Sequence, residues 1–332
     1  MLSQVVELIE AKRRFAITSH IRPDGDSLGS SLGLYWLLRA LDKDVEVIMR
    51  DPVPHAYQQL PGAGDVRVTP AVDPSYHAVF VIECSDITRP GLVDLDKQFV
   101  VNIDHHSTTA LFGNINWIDS TASAVGEMIY NLCKAIGGRV TKEIAECVYM
   151  ALVTDTGSFH FSNTTERTLK VASELVKAGV KPAEISEAVY NNYPWSRIEL
   201  MRQVLDTVKR DDTGTVAYMR QTLAMRKQAA AVDGDNNGFV NIPLAAREVL
   251  AVVYMREVGD NVYRVSLRSK GSINVAKVAE KFGGGGHKNA AGLRIEGEWD
   301  AMEAELVAAV DEAVERSLRK SSLEITEAPG PA

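Results

Sequence analysis

Along the first half of the chain, short runs of apolar and β-branched residues alternate with stretches whose apolar positions recur at helical spacing. Residues 15–19, 45–49, 78–82 and 99–103 read as strands, while 28–41, 121–136, 142–153, 165–178 and 182–190 read as helices. The last of these opens on Pro182, a residue tolerated in the first turn of a helix. This βα rhythm predicts an α/β domain built on a mostly parallel sheet. From about Thr215 the pattern changes to strands at 216–220, 249–258, 262–268 and 292–296, with helices at 273–282 and 299–319. The predicted organisation is therefore a parallel-sheet domain over 1–190, a helical connector over 191–213 and a smaller α+β domain over 214–320. The Ser-, Glu-, Pro- and Gly-rich stretch 321–332 is expected to be a disordered tail.

Composition changes this picture little. A chain of 332 residues exceeds the size at which one core stops growing, which favours two domains. Hydrophobic (45%) and charged (24%) shares sit near globular averages, so extensive disorder is not indicated. No apolar run approaches the roughly 20 residues that span a bilayer, and the N-terminal stretch lacks a signal-peptide layout. A cytoplasmic protein without membrane contact is the expectation. Cys84, Cys133 and Cys147, an odd set without paired metal-type spacing, read as reduced core thiols. A net charge of −8 argues against a protein that coats long nucleic acid, because such binding rests on phosphate neutralisation.

Four clusters fall where a strand or helix runs out into a loop: His20-x3-Asp24-Gly25-Asp26, Glu83-Cys84-Ser85-Asp86, Asp104-His105-His106 and Thr154-Asp155-Thr156-Gly157. In an open parallel sheet the loops beyond the strand carboxyl ends converge on one crevice, so a single site is inferred. Carboxylates with a few imidazoles suit a hard-to-borderline ion such as Mn²⁺ or Mg²⁺. Two such ions would activate water and polarise a phosphoryl group, which is the chemistry of phosphoester hydrolysis. Taken alone, Asp24-Gly25-Asp26 is more often a turn, Asp155 reads equally as a C-terminal turn residue, and Glu83 or Asp86 as a solvated loop acid. Two adjacent histidines after an aspartate at a buried strand end are harder to explain structurally, since both need partners or solvent.

The second half carries Gly283-Gly284-Gly285-Gly286-His287-Lys288, which reads as a phosphate cradle or, more plainly, as a helix cap with surplus glycine. Between 256 and 294 there are eight Lys and Arg against three acids, a local basic excess in an acidic chain. Arg268-Ser269-Lys270 could form one wall of an anion site.

Together these residues resemble the DHH phosphoesterases that carry the DHH-associated C-terminal domain, specifically those acting on nanoRNA and pAp. His20-x3-Asp24-x-Asp26 resembles the first family motif, Asp104-His105-His106 the third, Thr154-Asp155-Thr156-Gly157 the fourth, and 283–292 the glycine-rich signature of the associated domain. The resemblance covers about residues 1–320. It implies two Mn²⁺ ions, with Mg²⁺ or Co²⁺ as substitutes, held by His20, Asp24, Asp26, Glu83, His105 and Asp155. It implies catalytic roles for Asp104, His106 and Arg268, with His106 and Arg268 offsetting charge on the phosphoryl oxygens as a metal-bridging hydroxide attacks. Arg268, Ser269, Lys270, Gly285, Gly286 and His287 would hold the substrate. The implied activity is exonucleolytic hydrolysis of short oligonucleotides to mononucleotides, with removal of the 3′ phosphate from pAp. Long nucleic acid would be excluded, and a homodimer is left open. A cyclic dinucleotide phosphodiesterase and a catalytically silent nucleotide-binding regulator are the alternatives. The departure is Glu83, where the family usually has a bridging aspartate, and Asp86 is the rival for that place.

Overall fold

The structure, a computed structural model, describes residues 1–326, and for His287 and residues 321–326 the backbone alone. The chain divides after Asn192 into two compact units.

The first unit contains, in chain order, α1 (Leu2–Ala11), β1 (Arg14–Ser19), α2 (Gly25–Ala40), β2 (Asp44–Met49), β3 (Arg67–Val68), β4 (Ala78–Ile82), β5 (Val100–Asp104), β6 (Ile115–Ile118), α3 (Val125–Ala135), α4 (Lys142–Asp155), α5 (Glu166–Lys177) and α6 (Pro182–Tyr190). Its strands form one parallel sheet in the order β3-β2-β1-β4-β5-β6. All of β4 and β5 is buried, which is why those segments read as continuous apolar runs without alternation. One face packs Phe15, Ile17, Phe80 and Ile103 against α2, α3 and α4. The other face packs Ala16, Val79 and Val81 under Tyr76, Leu92 and Leu95 of the connecting segments. The strand order reverses between β1 and β4, and such a switch point opens a crevice at the carboxyl ends of the strands.

α2 and α4 lie unusually close. A Cβ added at Gly29 would stand 2.5 Å from the Cys147 carbonyl oxygen, so the backbones meet where only glycine fits. Asp24 caps α2 by accepting from the Ser27 amide at 3.0 Å, and the Ser27 hydroxyl answers the Asp24 amide.

The second unit contains α7 (Trp195–Leu205), β7 (Lys209–Arg210), β8 (Val216–Gln221), α8 (Leu223–Gln228), α9 (Asn241–Leu244), β9 (Ala251–Gly259), β10 (Val262–Ser269), α10 (Ala276–Lys281), β11 (Gly285–His287), β12 (Ala290–Glu296) and α11 (Trp299–Thr326). Its six strands form a mixed sheet ordered β11-β12-β10-β9-β8-β7, parallel only between β8 and β9. Val253, Met255, Val265 and Leu267 face α10 and α11, while Val252 and Tyr254 face the other way, toward α7.

Two expectations need correction. The helix at Trp195–Leu205 is not a connector: Leu200 and Val204 are buried against Ala217, Met219 and Tyr254, so it belongs to the second unit. The last helix continues to Thr326, because nothing between 321 and 326 breaks a helix and the first proline comes at 329, whereas 327–332 lie outside the described residues. The glycine run follows its plainer reading, a helix cap. Gly283, with φ +75°, ends α10 while the amides of Gly283 and Gly284 bond the carbonyls of Glu280 and Ala279. Gly284 and Gly286 press against β12, where added Cβ atoms would stand 2.4 and 2.5 Å from the carbonyl oxygens of Gly292 and Ala290.

Candidate metal centre

The sheet positions the site. β1 delivers His20, β4 delivers Glu83 and β5 ends on Asp104, followed by His105 and His106, so three adjacent strands spend their carboxyl ends on it. The start of α2 adds Asp24 and Asp26, and the end of α4 adds Asp155. Gly25 is required between the two aspartates by close approach and not by a turn, since a Cβ there would stand 2.3 Å from the side chain of Thr154.

These side chains form three overlapping groups whose ligand atoms lie within 4.8 Å of one another: His20 with Asp24 and Glu83, Asp26 with His105 and Asp155, and Glu83 with His105 and His106. His20 Nε2 is 3.3 Å from Glu83 Oε2 and 3.9 Å from Asp24 Oδ2. His105 Nε2 is 3.7 Å from Asp155 Oδ2 and 3.9 Å from Asp26 Oδ2. Glu83 thus belongs to two of the groups, and Asp86 to none among the described residues. The Asp86 carboxylate is spent on Thr88, whose amide and hydroxyl both donate to it, and those bonds hold its pKa below the usual carboxylate range. Glu83 is buried and sits in the left-handed region at φ +57°, a conformation costly for a non-glycine residue and concentrated at functional sites.

A divalent cation fits this arrangement. His105 Nε2 is buried with no hydrogen-bond partner, while Nδ1 lies 3.1 Å from the Ala122 carbonyl. If Nδ1 carries the proton and donates it there, the lone pair on Nε2 points between two carboxylates too distant for hydrogen bonds. The carboxylates also need positive charge. Burial and the charges of Asp24, Asp26 and Asp155 push Glu83 well above its ordinary pKa. Burial and the Asp26 charge push Asp155 up to about 7, and burial raises Asp26. An oxygen-rich set with imidazoles and no thiolate suits a hard-to-borderline ion.

Asp104 plays a different part. It is fully buried, and one oxygen receives the His105 amide and lies 2.8 Å from His106 Nδ1, while the other receives the Thr109 hydroxyl. Burial alone would raise its pKa, but the bonds from His106 and Thr109 outweigh that and hold it low. The same bond holds His106 above the ordinary histidine value.

The sequence had brought forward every acid and histidine of this cluster, yet it missed their supports. Asn163 Nδ2 donates to the carbonyls of Ser123 and Asp155 and to Asp155 Oδ2. Asp26 receives the Ser30 hydroxyl and the amides of Val125 and Gly126 at the start of α3. No spacing signal marks Asn163 or Ser30, because each acts through a backbone or a turn that only the fold defines.

In the second unit the expected substrate residues separate. Arg268 and Arg256 stand on the sheet face that also carries Tyr254 and Ser266, and burial followed by the Arg256 charge lowers the pKa of Arg268. Ser269 points the other way, bonding the Ile273 carbonyl at 2.8 Å and receiving Asn289 Nδ2. Ser269 therefore does not share a face with Arg268. Lys270 Nζ bonds the Ala246 carbonyl. Gly285 and Gly286 lie in edge strand β11, and the side chain of His287 lies outside the described residues.

A parallel sheet ending in carboxylates and imidazoles, followed by a mixed-sheet unit, defines the class: the chain belongs to the DHH family of metal-dependent phosphoesterases. Residues 14–152 match the model of the DHH family, N-terminal domain, and residues 214–316 match the DHHA1 domain. Over 328 residues the chain is 33% identical to the bifunctional oligoribonuclease and PAP phosphatase NrnA of Thermus thermophilus, covering 99% of this chain and 94% of that one. It is 28% identical to the protein of the same name from Bacillus subtilis, covering 91% and 96%. Among solved structures it resembles an exopolyphosphatase-related protein from Bacteroides fragilis, with a TM-score of 0.87 and 29% identity over 95% of each chain.

Proposed function

We propose that the protein hydrolyses very short oligonucleotides, linear dinucleotides included, to mononucleotides, and pAp to AMP. The observation that carries this reading is the overlap of three ligand groups at the carboxyl ends of β1, β4 and β5, in a chain similar along nearly its whole length to enzymes named for those two activities. His20, Asp24 and Glu83 would hold one Mn²⁺, Asp26, His105 and Asp155 the other, with Glu83 reaching both. Two such cations supply an acidified water and offset the charge on phosphoryl oxygens. His106, whose pKa the Asp104 bond raises above the ordinary histidine value, belongs to a ligand group with Glu83 and His105 and can offer a proton or a positive charge to the phosphate. For the second unit we nominate Arg268, beside Arg256, as the substrate's phosphate contact, with Gly285, Gly286 and His287 supplying further donors. The position of Glu83 inside two ligand groups supports the catalytic reading over a silent one.

The test is a substrate panel in Mn²⁺: a 5′-phosphorylated RNA dimer, a pentamer, a 24-mer, pAp and cyclic di-AMP. Mononucleotide release from dimer and pentamer, AMP from pAp and an intact 24-mer are the outcomes required. No turnover of any substrate by the metal-loaded protein would refute the reading, and turnover of cyclic di-AMP alone would replace it with a cyclic dinucleotide phosphodiesterase.

A further inference from the structure

The basic excess between 256 and 294 resolves into two groups on opposite faces of the second sheet. Arg256 and Arg268 lie on the Tyr254 face, whereas Lys277, Lys281 and Lys288 gather on the helical face with Arg316 and Lys320 of α11. There they line a cavity of about 480 Å³ between α10 and α11, a size that holds a nucleotide or a short phosphate chain.

Charge gives this cavity its character. The lining carries five cations and the single carboxylate of Glu312, a local net of +4 in a chain of net −8. Glu312 is already engaged by Lys281 at 3.3 Å and by Arg316. Lys277, Lys288 and Lys320 have no ion pair among the described residues. Cations drawn from three segments around one cavity repel each other, and the repulsion is relieved by an anion that several of them share. Lysines are compact, mobile charges suited to phosphate oxygens. No aromatic side chain is among the lining residues, so nothing there stacks a base. The hydroxyls of Ser272 and Ser317, 2.6 Å apart, tie the turn before α10 to α11 and fix one end of the cavity.

We propose that the cavity between α10 and α11 is a binding site for a phosphate-rich anion, recognised through two or three phosphates and not through a base. The anion is either the backbone of an oligonucleotide or a free polyphosphate. The site stands independently of the hydrolytic centre, and EDTA keeps the two apart because no divalent cation then remains to bridge phosphate to the carboxylates.

The experiment titrates the full chain in EDTA at low salt with inorganic tripolyphosphate and, separately, with an RNA pentamer, by calorimetry. Lys277 and Lys320 are exposed, so the double variant Lys277→Glu/Lys320→Glu should fold as the parent does, which its thermal transition checks. Binding of either ligand to the parent, weakened at least about tenfold in the double variant, is the expected result. The salt dependence should follow a slope near −0.7 per neutralised phosphate, about −2 for three contacts. Binding of both ligands identifies the phosphate chain as the recognised feature, and binding of the pentamer alone identifies the oligonucleotide backbone. No binding to the parent, or binding that Arg268→Ala removes and the double variant retains, overturns the proposal.

Discussion

Replacing Gly29 by alanine tests whether the close approach of α2 and α4 sets the metal centre. Helix propensity alone predicts a gain, since alanine is favoured over glycine by about 1 kcal/mol in a helix interior. The packing predicts the reverse. The new Cβ would stand 2.5 Å from the Cys147 carbonyl oxygen and 2.9 Å from the Ala151 amide, both backbone atoms that no rotamer change can move. Ordinary contact begins near 3.4 Å, so the helices must separate by 3.4 − 2.5 = 0.9 Å. Overpacking of this kind costs about 1–3 kcal/mol, roughly 2–12 °C in Tm for a unit of this size. The larger effect should fall on metal binding. α2 carries Asp24 and Asp26 at its start and α4 carries Asp155 at its end, and metal–ligand distances tolerate only about 0.2 Å. Manganese affinity, measured by calorimetry, should therefore drop by about tenfold or more, with turnover falling alongside. Gly64→Ala, where nothing lies within 4 Å of the added Cβ, is the control. A Gly29→Ala protein as stable as that control and with unchanged manganese affinity would show that the helix contact does not govern the site.

Four further outcomes follow from the same geometry. His105→Ala should remove one manganese ion per chain by elemental analysis and abolish hydrolysis, and retained metal with normal turnover would refute its place as a ligand. Glu83→Asp should keep or raise turnover, because aspartate tolerates the left-handed backbone better than glutamate, whereas Asp86→Ala should leave turnover unchanged. The reverse order in steady-state kinetics would transfer the bridging role to Asp86. Asn163→Ala frees the Asp155 carboxylate and should lower metal affinity by about 10–100-fold while Tm in EDTA changes little; an unchanged affinity would make Asn163 a loop tie only. In EDTA, raised carboxyl pKa values lend stability while the groups are protonated, and that stability is lost as pH rises from about 4 through the value of about 7 at Asp155. Metal-free Tm should thus fall between pH 5.5 and 8, and manganese should raise it more at pH 8; a flat or rising metal-free Tm would refute the account.

How far the sequence disclosed this protein depended on whether a residue's role is local. Asp104-His105-His106 was legible because two imidazoles after a buried strand need partners wherever the chain goes, and β5 does end at Asp104. The strands of the first unit were legible too, because burial on both faces leaves uninterrupted apolar runs, while β6 and the two-residue β3 were missed for want of such a run. Asp24-Gly25-Asp26 was legible as a candidate and misread in its cause: the glycine answers Thr154, some 130 positions away, and no window around it records that. The same limit explains the glycine run of the second unit, where contact with β12 accounts for Gly284 and Gly286 as fully as any ligand would. It also explains the basic residues, which one count along the chain merged and the fold divides, with the arginines of β9 and β10 on one face of the sheet and the lysines of α10 on the other. Charge in a sequence window therefore reports composition, and the sheet decides which cations act together. In this chain that decision separates Arg268, set beside Arg256, from the lysines of α10, and any substrate model that pools them assigns one ligand to two sites.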